Sequence, residues 1–142
     1  MTKYDTKMIE TATSWAEMSS CKKKQVGSVI SRNDRIISVG YNGSIPKNLS
    51  SSKELTDNNC EDKDGNTKSH ILHAEYNAIM FLVREQVSLA NTTIYLTTKP
   101  CMKCAELILN TGITKVFYKN NNKANDGLDY LKQTKVEVIA YD

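Results

Sequence analysis

Residues 73 to 104 read HAEYNAIMFLVREQVSLANTTIYLTTKPCMKC, and this stretch decides the fold. Its first part places Ala74, Ala78, Phe81 and Leu82 at helical spacing. His73 to Arg84 is therefore predicted as a helix with those four as core contacts. Thr92 to Thr98 alternates in the period-two manner of a strand. Cys101 to Asn110 returns to helix, closed by Thr111-Gly112 as a C-terminal cap.

Working outward, the alternation continues. Lys115 to Tyr118 reads as a strand, Asp126 to Gln133 as a helix and Val136 to Tyr141 as a last strand. Upstream, Val26 to Ser31 and Arg35 to Tyr41 are β-branched-rich runs joined through Ser31-Arg32-Asn33-Asp34-Arg35, which reads as a hairpin. Asn42-Gly43 and Pro46 stop the second strand. Met8, Ala12, Trp15, Ala16 and Ser19 form one face of an opening helix. A hairpin followed by alternating helix and strand implies an α/β protein, a mixed sheet covered by helices. Residues 44–69 are polar and aperiodic, the pattern of a functional loop or a partly disordered insertion.

The bulk numbers fit one domain over residues 1–142. Nineteen basic against sixteen acidic residues leave a formal charge of +3, weaker than a dedicated nucleic-acid binder carries. A small substrate, anionic ones included, is expected rather than a polymer. No apolar run reaches the length of a membrane span, and the N-terminus has no signal-peptide core. The expectation is a cytoplasmic protein with no membrane partner. Four cysteines are too few for a disulfide scaffold at this length, so a close pair points to metal or catalysis.

Two clusters carry chemistry: His73-Ala74-Glu75 and Pro100-Cys101-Met102-Lys103-Cys104. Cys101 and Cys104 are three apart, so on a helix both thiols leave from one face. Pro100 suits a helix entry, and the positive helix end favours thiolate. One histidine and two cysteines supply three positions of a tetrahedral Zn²⁺, leaving the fourth open for a water made acidic by the metal. Glu75 is a carboxylate beside the metal rather than on it, placed to carry that water's proton to a ring nitrogen and then to a leaving amine. The H-x-E…P-C-x-x-C spacing is shared by zinc-dependent nucleobase deaminases.

From Ser20 onward the chain resembles the deoxycytidylate (dCMP) deaminases of phages and bacteria. The resemblance lies in residues 20–30 (SCKKKQVGSVI), Gly40-Tyr41-Asn42-Gly43, residues 73–79 (HAEYNAI) and residues 100–105 (PCMKCA). It implies a three-layer fold with a five-stranded mixed sheet and helices on both faces, and a homo-hexamer. It further implies hydrolysis of dCMP to dUMP for thymidylate synthesis, activated by dCTP and inhibited by dTTP, with Mg²⁺ on the effector phosphates. Carried onto this chain, it puts Asn42 at the substrate's sugar or base and packs Val26 and Ala74 on the pyrimidine. Lys22, Lys24, Tyr118 and Lys119 become candidates for the 5′-phosphate. Asn42, Gly43, Asn77, Phe81 and Arg84 become candidates for the effector site, with Phe81 as core and Arg84 as plain surface the alternative. The turn Ser44-Ile45-Pro46-Lys47-Asn48 departs from relatives, with one residue more before the proline and no glycine after it. Some phage relatives hold a second, structural zinc, for which Cys21, Cys60 and His70 are the residues left here. Two other readings compete: a tRNA- or DNA-editing deaminase, which would want basic or aromatic surface around its pocket, and a non-catalytic zinc-stabilised binding module, which would have no use for Glu75.

Overall fold

A computed structural model describes residues 1–121 and 125–142. The first helix, α1 (Lys3–Ala16), begins with a reciprocal cap. The Asp5 backbone N–H donates to the Thr2 hydroxyl (3.1 Å), and the Thr2 N–H donates to the Asp5 carboxylate (2.9 Å). Strands β1 (Gly27–Arg32) and β2 (Arg35–Tyr41) pair antiparallel through a two-residue turn. Both turn residues, Asn33 (φ 52°) and Asp34 (φ 62°), adopt the left-handed backbone that such a turn requires.

After a long connection come α2 (Ala74–Arg84), β3 (Thr92–Leu96), α3 (Met102–Leu109), β4 (Ile113–Lys119), α4 (Asp126–Lys132) and β5 (Glu137–Tyr141). The sheet order is β2-β1-β3-β4-β5, antiparallel across the first three strands and parallel from β3 to β5. Met8 and Ala12 of α1 pack with Val29, Tyr95 and Phe117 on one face. The other face carries Ala78, Ile79 and Leu82 of α2, Ala105 and Ile108 of α3 and Leu131 of α4 over Ile30, Ile94, Leu96 and Val116. This is the expected three-layer arrangement. Among the described residues no helix is long and apolar enough to cross a membrane.

Three expectations are corrected. Cys21 and Cys60 do not share a second zinc with His70. They form a disulfide with a Cα–Cα distance of 5.5 Å, and the His70 Nε2 lies 2.7 Å from the Asp57 carbonyl oxygen. Sulfurs bonded to each other are no longer thiolate ligands, and the cysteines, though buried, are not free. Phe81 is not core. It is 44% exposed: among the described residues β2 is the sheet edge and no further strand covers that flank of α2. Trp15 likewise leaves the buried face of α1 and stacks on Tyr41 at a 6.2 Å centroid distance.

The polar connection is built rather than loose. Gly43 and Leu72 exchange backbone hydrogen bonds (3.1 and 2.9 Å), which closes the two ends of the segment together. Inside it, the Ser44 hydroxyl reaches Asn58 Oδ1 (2.7 Å), Lys68 pairs with Asp57 (3.4 Å), and Glu61 bridges Thr67 across a turn held by Asp62.

Candidate active site

The site stands where two helices begin. His73 is the N-cap residue of α2, and Cys101 is the N-cap of α3 with Cys104 in its first turn. The His73 ring makes no cap bond to its own helix and faces the two sulfurs instead. Serines of the hairpin hold α2 at this height. The Ser28 hydroxyl donates to the Ala74 carbonyl (2.8 Å) and the Ser38 hydroxyl to the Ala78 carbonyl (2.7 Å). Close backbone approach needs glycine at two places. A Cβ on Gly40 would overlap the Ala74 carbonyl oxygen, and a Cβ on Gly127 would overlap the Pro100 and Cys101 carbonyls. The first brings α2 onto β2, the second brings α4 against the start of α3.

The His73 Nδ1 lies 3.5 Å from the Cys101 sulfur and 3.5 Å from the Cys104 sulfur. All three ligand atoms fall within 4.8 Å of one another. A tetrahedral zinc with its usual bond lengths separates sulfur from nitrogen by about 3.6 Å, so the donor set fits that ion. The electrostatics fit as well. Hydrogen bonds from Cys104 and then His73 pull the Cys101 thiol down to about 3, which makes it a thiolate. Its own bond to Cys101, followed by burial, pushes the Cys104 thiol up, so these two sulfurs share one proton that a cation would displace. The Cys101 contact raises His73.

Glu75 lies in the first turn of α2 and is 2% exposed. Burial raises its carboxyl above the ordinary carboxylate range, opposed in part by its own backbone N–H and by His73. A cavity of about 370 Å³ opens over it, lined by Lys24, Val26, Asn42, Thr67, His73, Ala74, Glu75, Thr98, Lys99 and Cys101. That volume lies in the range of small-molecule sites. A second cavity lined by Lys23, Asn121 and Asn125 adjoins it, sharing Lys24, Val26, Thr98 and Lys99.

A family model, that of the cytidine and deoxycytidylate deaminase zinc-binding region, matches residues 2–120. The chain belongs to this deaminase family. Within it, the deoxycytidylate deaminase of Mycobacterium phage D29 is 32% identical, over 81% of this chain and 93% of that protein. The deoxycytidylate deaminase of Saccharomyces cerevisiae is 35% identical over 87% of this chain, which spans only 39% of the yeast protein. The crystal structure of the cyanophage S-TIM5 dCMP deaminase in complex with dCMP and dUMP superimposes with a TM-score of 0.84, at 31% identity and 99% coverage of both chains.

Within this deaminase-family site the sequence-predicted residues separate into groups. His73, Glu75, Cys101, Val26, Asn42, Ala74 and Lys24 line one cavity, and Cys104 lies buried behind the cluster. Asn42 is already engaged, since its Oδ1 accepts from the Val26 N–H (2.9 Å) and its Nδ2 donates to the Lys24 carbonyl (2.7 Å). It therefore fixes the lead-in to β1 while facing the cavity. Lys22, Tyr118 and Lys119 do not line it. Lys22 borders a groove beside Cys60. Tyr118 is 7% exposed and, like Lys119, is built into β4, which runs further than the sequence suggests. Gly43, Asn77, Phe81 and Arg84 gather in a separate cavity of about 520 Å³, while Asn42 stays with the first. Sequence reasoning missed Thr67, Thr98 and Lys99. The last two fell in a strand drawn two residues too long and in the step before Pro100, where residue order was the available signal.

Proposed function

We propose that this chain hydrolyses the 4-amino group of dCMP, releasing dUMP and ammonia. The observation that carries the reading is one buried carboxylate, Glu75, set beside a His73/Cys101/Cys104 donor set in a cavity that also offers Lys24 and Lys99. His73, Cys101 and Cys104 would hold zinc. When bound there, the metal would supply hydroxide at neutral pH by acidifying a water.

Glu75 does the proton work. One carboxylate oxygen takes a proton from the attacking water as the water's oxygen bonds to C4, and delivers that proton to ring N3. The proton left on the water's oxygen, now the C4 hydroxyl, then passes through Glu75 to the 4-amino nitrogen. The C4–N bond breaks with its electron pair on nitrogen, C4=O forms, and ammonia leaves. A buried carboxyl of raised proton affinity is suited to holding a proton between the two deliveries. Val26 and Ala74 form an apolar wall for the pyrimidine. Lys24 and Lys99 at the junction of the two adjoining cavities favour a substrate carrying phosphate over a free nucleoside.

The proposal extends to regulation. The cavity holding Gly43, Asn77, Phe81 and Arg84 would take an effector nucleotide, dCTP as activator or dTTP as inhibitor, with Mg²⁺ on its phosphates. An exposed ring and an arginine suit a base and a phosphate, and Asn77 links α2 to the end of β2 through the Tyr41 carbonyl (2.8 Å). The product would feed thymidylate synthesis, and the working assembly would be a homo-hexamer.

The test follows loss of pyrimidine absorbance with dCMP, dCTP, deoxycytidine and single-stranded DNA on zinc-loaded protein, with and without added dCTP or dTTP. Turnover of dCMP, raised by dCTP and suppressed by dTTP, is expected. Zinc-loaded protein that leaves dCMP untouched refutes the reading, and turnover of single-stranded DNA would replace it with polymer editing.

A further inference from the structure

Thr67 is the one cavity residue that comes from the long polar segment, and its placement is not local. It lies exposed at the mouth, whereas Glu75 at the floor is 2% exposed. Thr67 ends a small finger. The Lys68 N–H donates to the Cys60 carbonyl (2.7 Å), Glu61 bridges Thr67, and the Asp62 carboxylate receives the Asp64 and Asn66 N–H groups (2.9 and 3.0 Å). The base of this finger is Cys60, joined covalently to Cys21 across 39 residues.

Cys21 is itself tied to other residues of the cavity lining. Its N–H donates to the Ser19 hydroxyl (3.1 Å), which donates to the Asn42 carbonyl (2.8 Å). The Asn42 side chain in turn holds the backbone of Lys24 and Val26. Ile71 packs against both cysteines and buries the link. The disulfide thus joins two segments that each contribute to one cavity.

We infer that Thr67 is a nucleotide-contacting residue and that the Cys21–Cys60 disulfide is the device that positions it. The inference rests on the proposed deamination of dCMP. The reacting end of the base belongs with buried Glu75, so a hydroxyl at the mouth meets the sugar–phosphate portion. Its contribution is to binding rather than to the chemical step. Losing one hydrogen bond of this kind changes affinity about fivefold.

The experiment measures KM and kcat for dCMP on zinc-loaded wild type, T67V, C60S and the C60S/T67V pair, and on wild type treated with a phosphine that reduces the disulfide to two thiols. T67V is expected to raise KM about fivefold with kcat within about twofold. Phosphine-treated wild type and C60S should do the same, and the double variant should be no worse than C60S alone, because the contact is already lost. Denatured, unreduced wild type should show two reactive thiols, those of Cys101 and Cys104. A KM unchanged by reduction, an unchanged KM in T67V, additive effects in the double variant, or four reactive thiols would each overturn the inference. If C60S does not fold, reduced wild type decides. Zinc-loaded wild type that binds but does not deaminate dCMP refutes the proposed function instead, and a T67V affinity loss measured by dCMP binding would still support the contact.

Discussion

Replacing Glu75 by Gln tests the centre of this reading, since glutamine keeps the shape and loses the proton shuttle. Among the described residues Glu75 is the sole carboxylate lining the cavity, whose other titratable members are Lys24, His73, Lys99 and Cys101. Two of these would hold the metal and two are lysines, so none takes over as base. In the proposed reaction the same carboxyl serves two proton transfers, and general acid–base catalysis contributes on the order of 10²–10⁴ to a step. A loss in kcat of about 10⁴ follows, equivalent to about 5.5 kcal/mol of transition-state stabilisation. Zinc content should remain that of wild type, because Glu75 is not part of the donor set. The assay pairs the absorbance rate for dCMP with metal analysis and a melting curve. An E75Q protein that keeps zinc and retains more than about a tenth of wild-type kcat would refute the proton-shuttle assignment. An E75Q protein that loses zinc would refute the separation of base from ligands.

Gly127→Ala should destabilise the fold by about 2 kcal/mol and weaken zinc binding together, because the added methyl meets the Pro100 and Cys101 carbonyls. Unchanged denaturant midpoint and zinc affinity would show that this approach has slack. Asp5→Ala should cost about 1 kcal/mol at neutral pH, by removing the carboxylate that accepts from the Thr2 N–H (2.9 Å) and from the Tyr95 hydroxyl (2.7 Å), while the Thr2 hydroxyl keeps the backbone N–H of residue 5. Burial raises the Asp5 carboxyl, but the Thr2 N–H, Tyr95 and the Thr2 hydroxyl outweigh it and hold the value below 3.8. A depressed carboxylate stabilises the fold above its unfolded value and loses that contribution as pH falls through the folded one. The wild-type advantage over D5A in melting temperature should therefore be complete by about pH 5 and shrink below pH 4, and an advantage that grows on acidification would contradict it.

The periodic parts of this chain were legible because burial imposes periodicity. Ala74, Ala78 and Leu82 recur every four residues since one stripe of α2 faces the sheet, and the whole α/β order follows from such patterns. The same rule misplaced Phe81, because periodicity gives the angle of a side chain about its helix but not how far the covering sheet extends. The end of β3 was drawn too far where side chains take over from the ladder: the Thr97 N–H still donates to the Gly27 carbonyl (3.1 Å), but the Gly27 N–H donates to the Thr97 hydroxyl (3.0 Å), and Thr98 lines the cavity.

That Cys101 would lie beside Cys104, and His73 beside Glu75, was readable from sequence alone, because helix starts place residues three apart, or two apart across an N-cap, in fixed mutual positions. What brought His73 within 3.5 Å of both sulfurs was the packing of α2 and α3 on one face of the same sheet. The disulfide lay beyond local reading. Cys21 and Cys60 are 39 residues apart in aperiodic chain, and only closure of the Gly43–Leu72 pair and burial under Ile71 put their sulfurs in bonding range. The sequence determined which groups could do chemistry, since identity and short-range spacing are written in it directly. The tertiary structure decided which of them share a cavity, since that depends on contacts whose sequence separation carries no local signal.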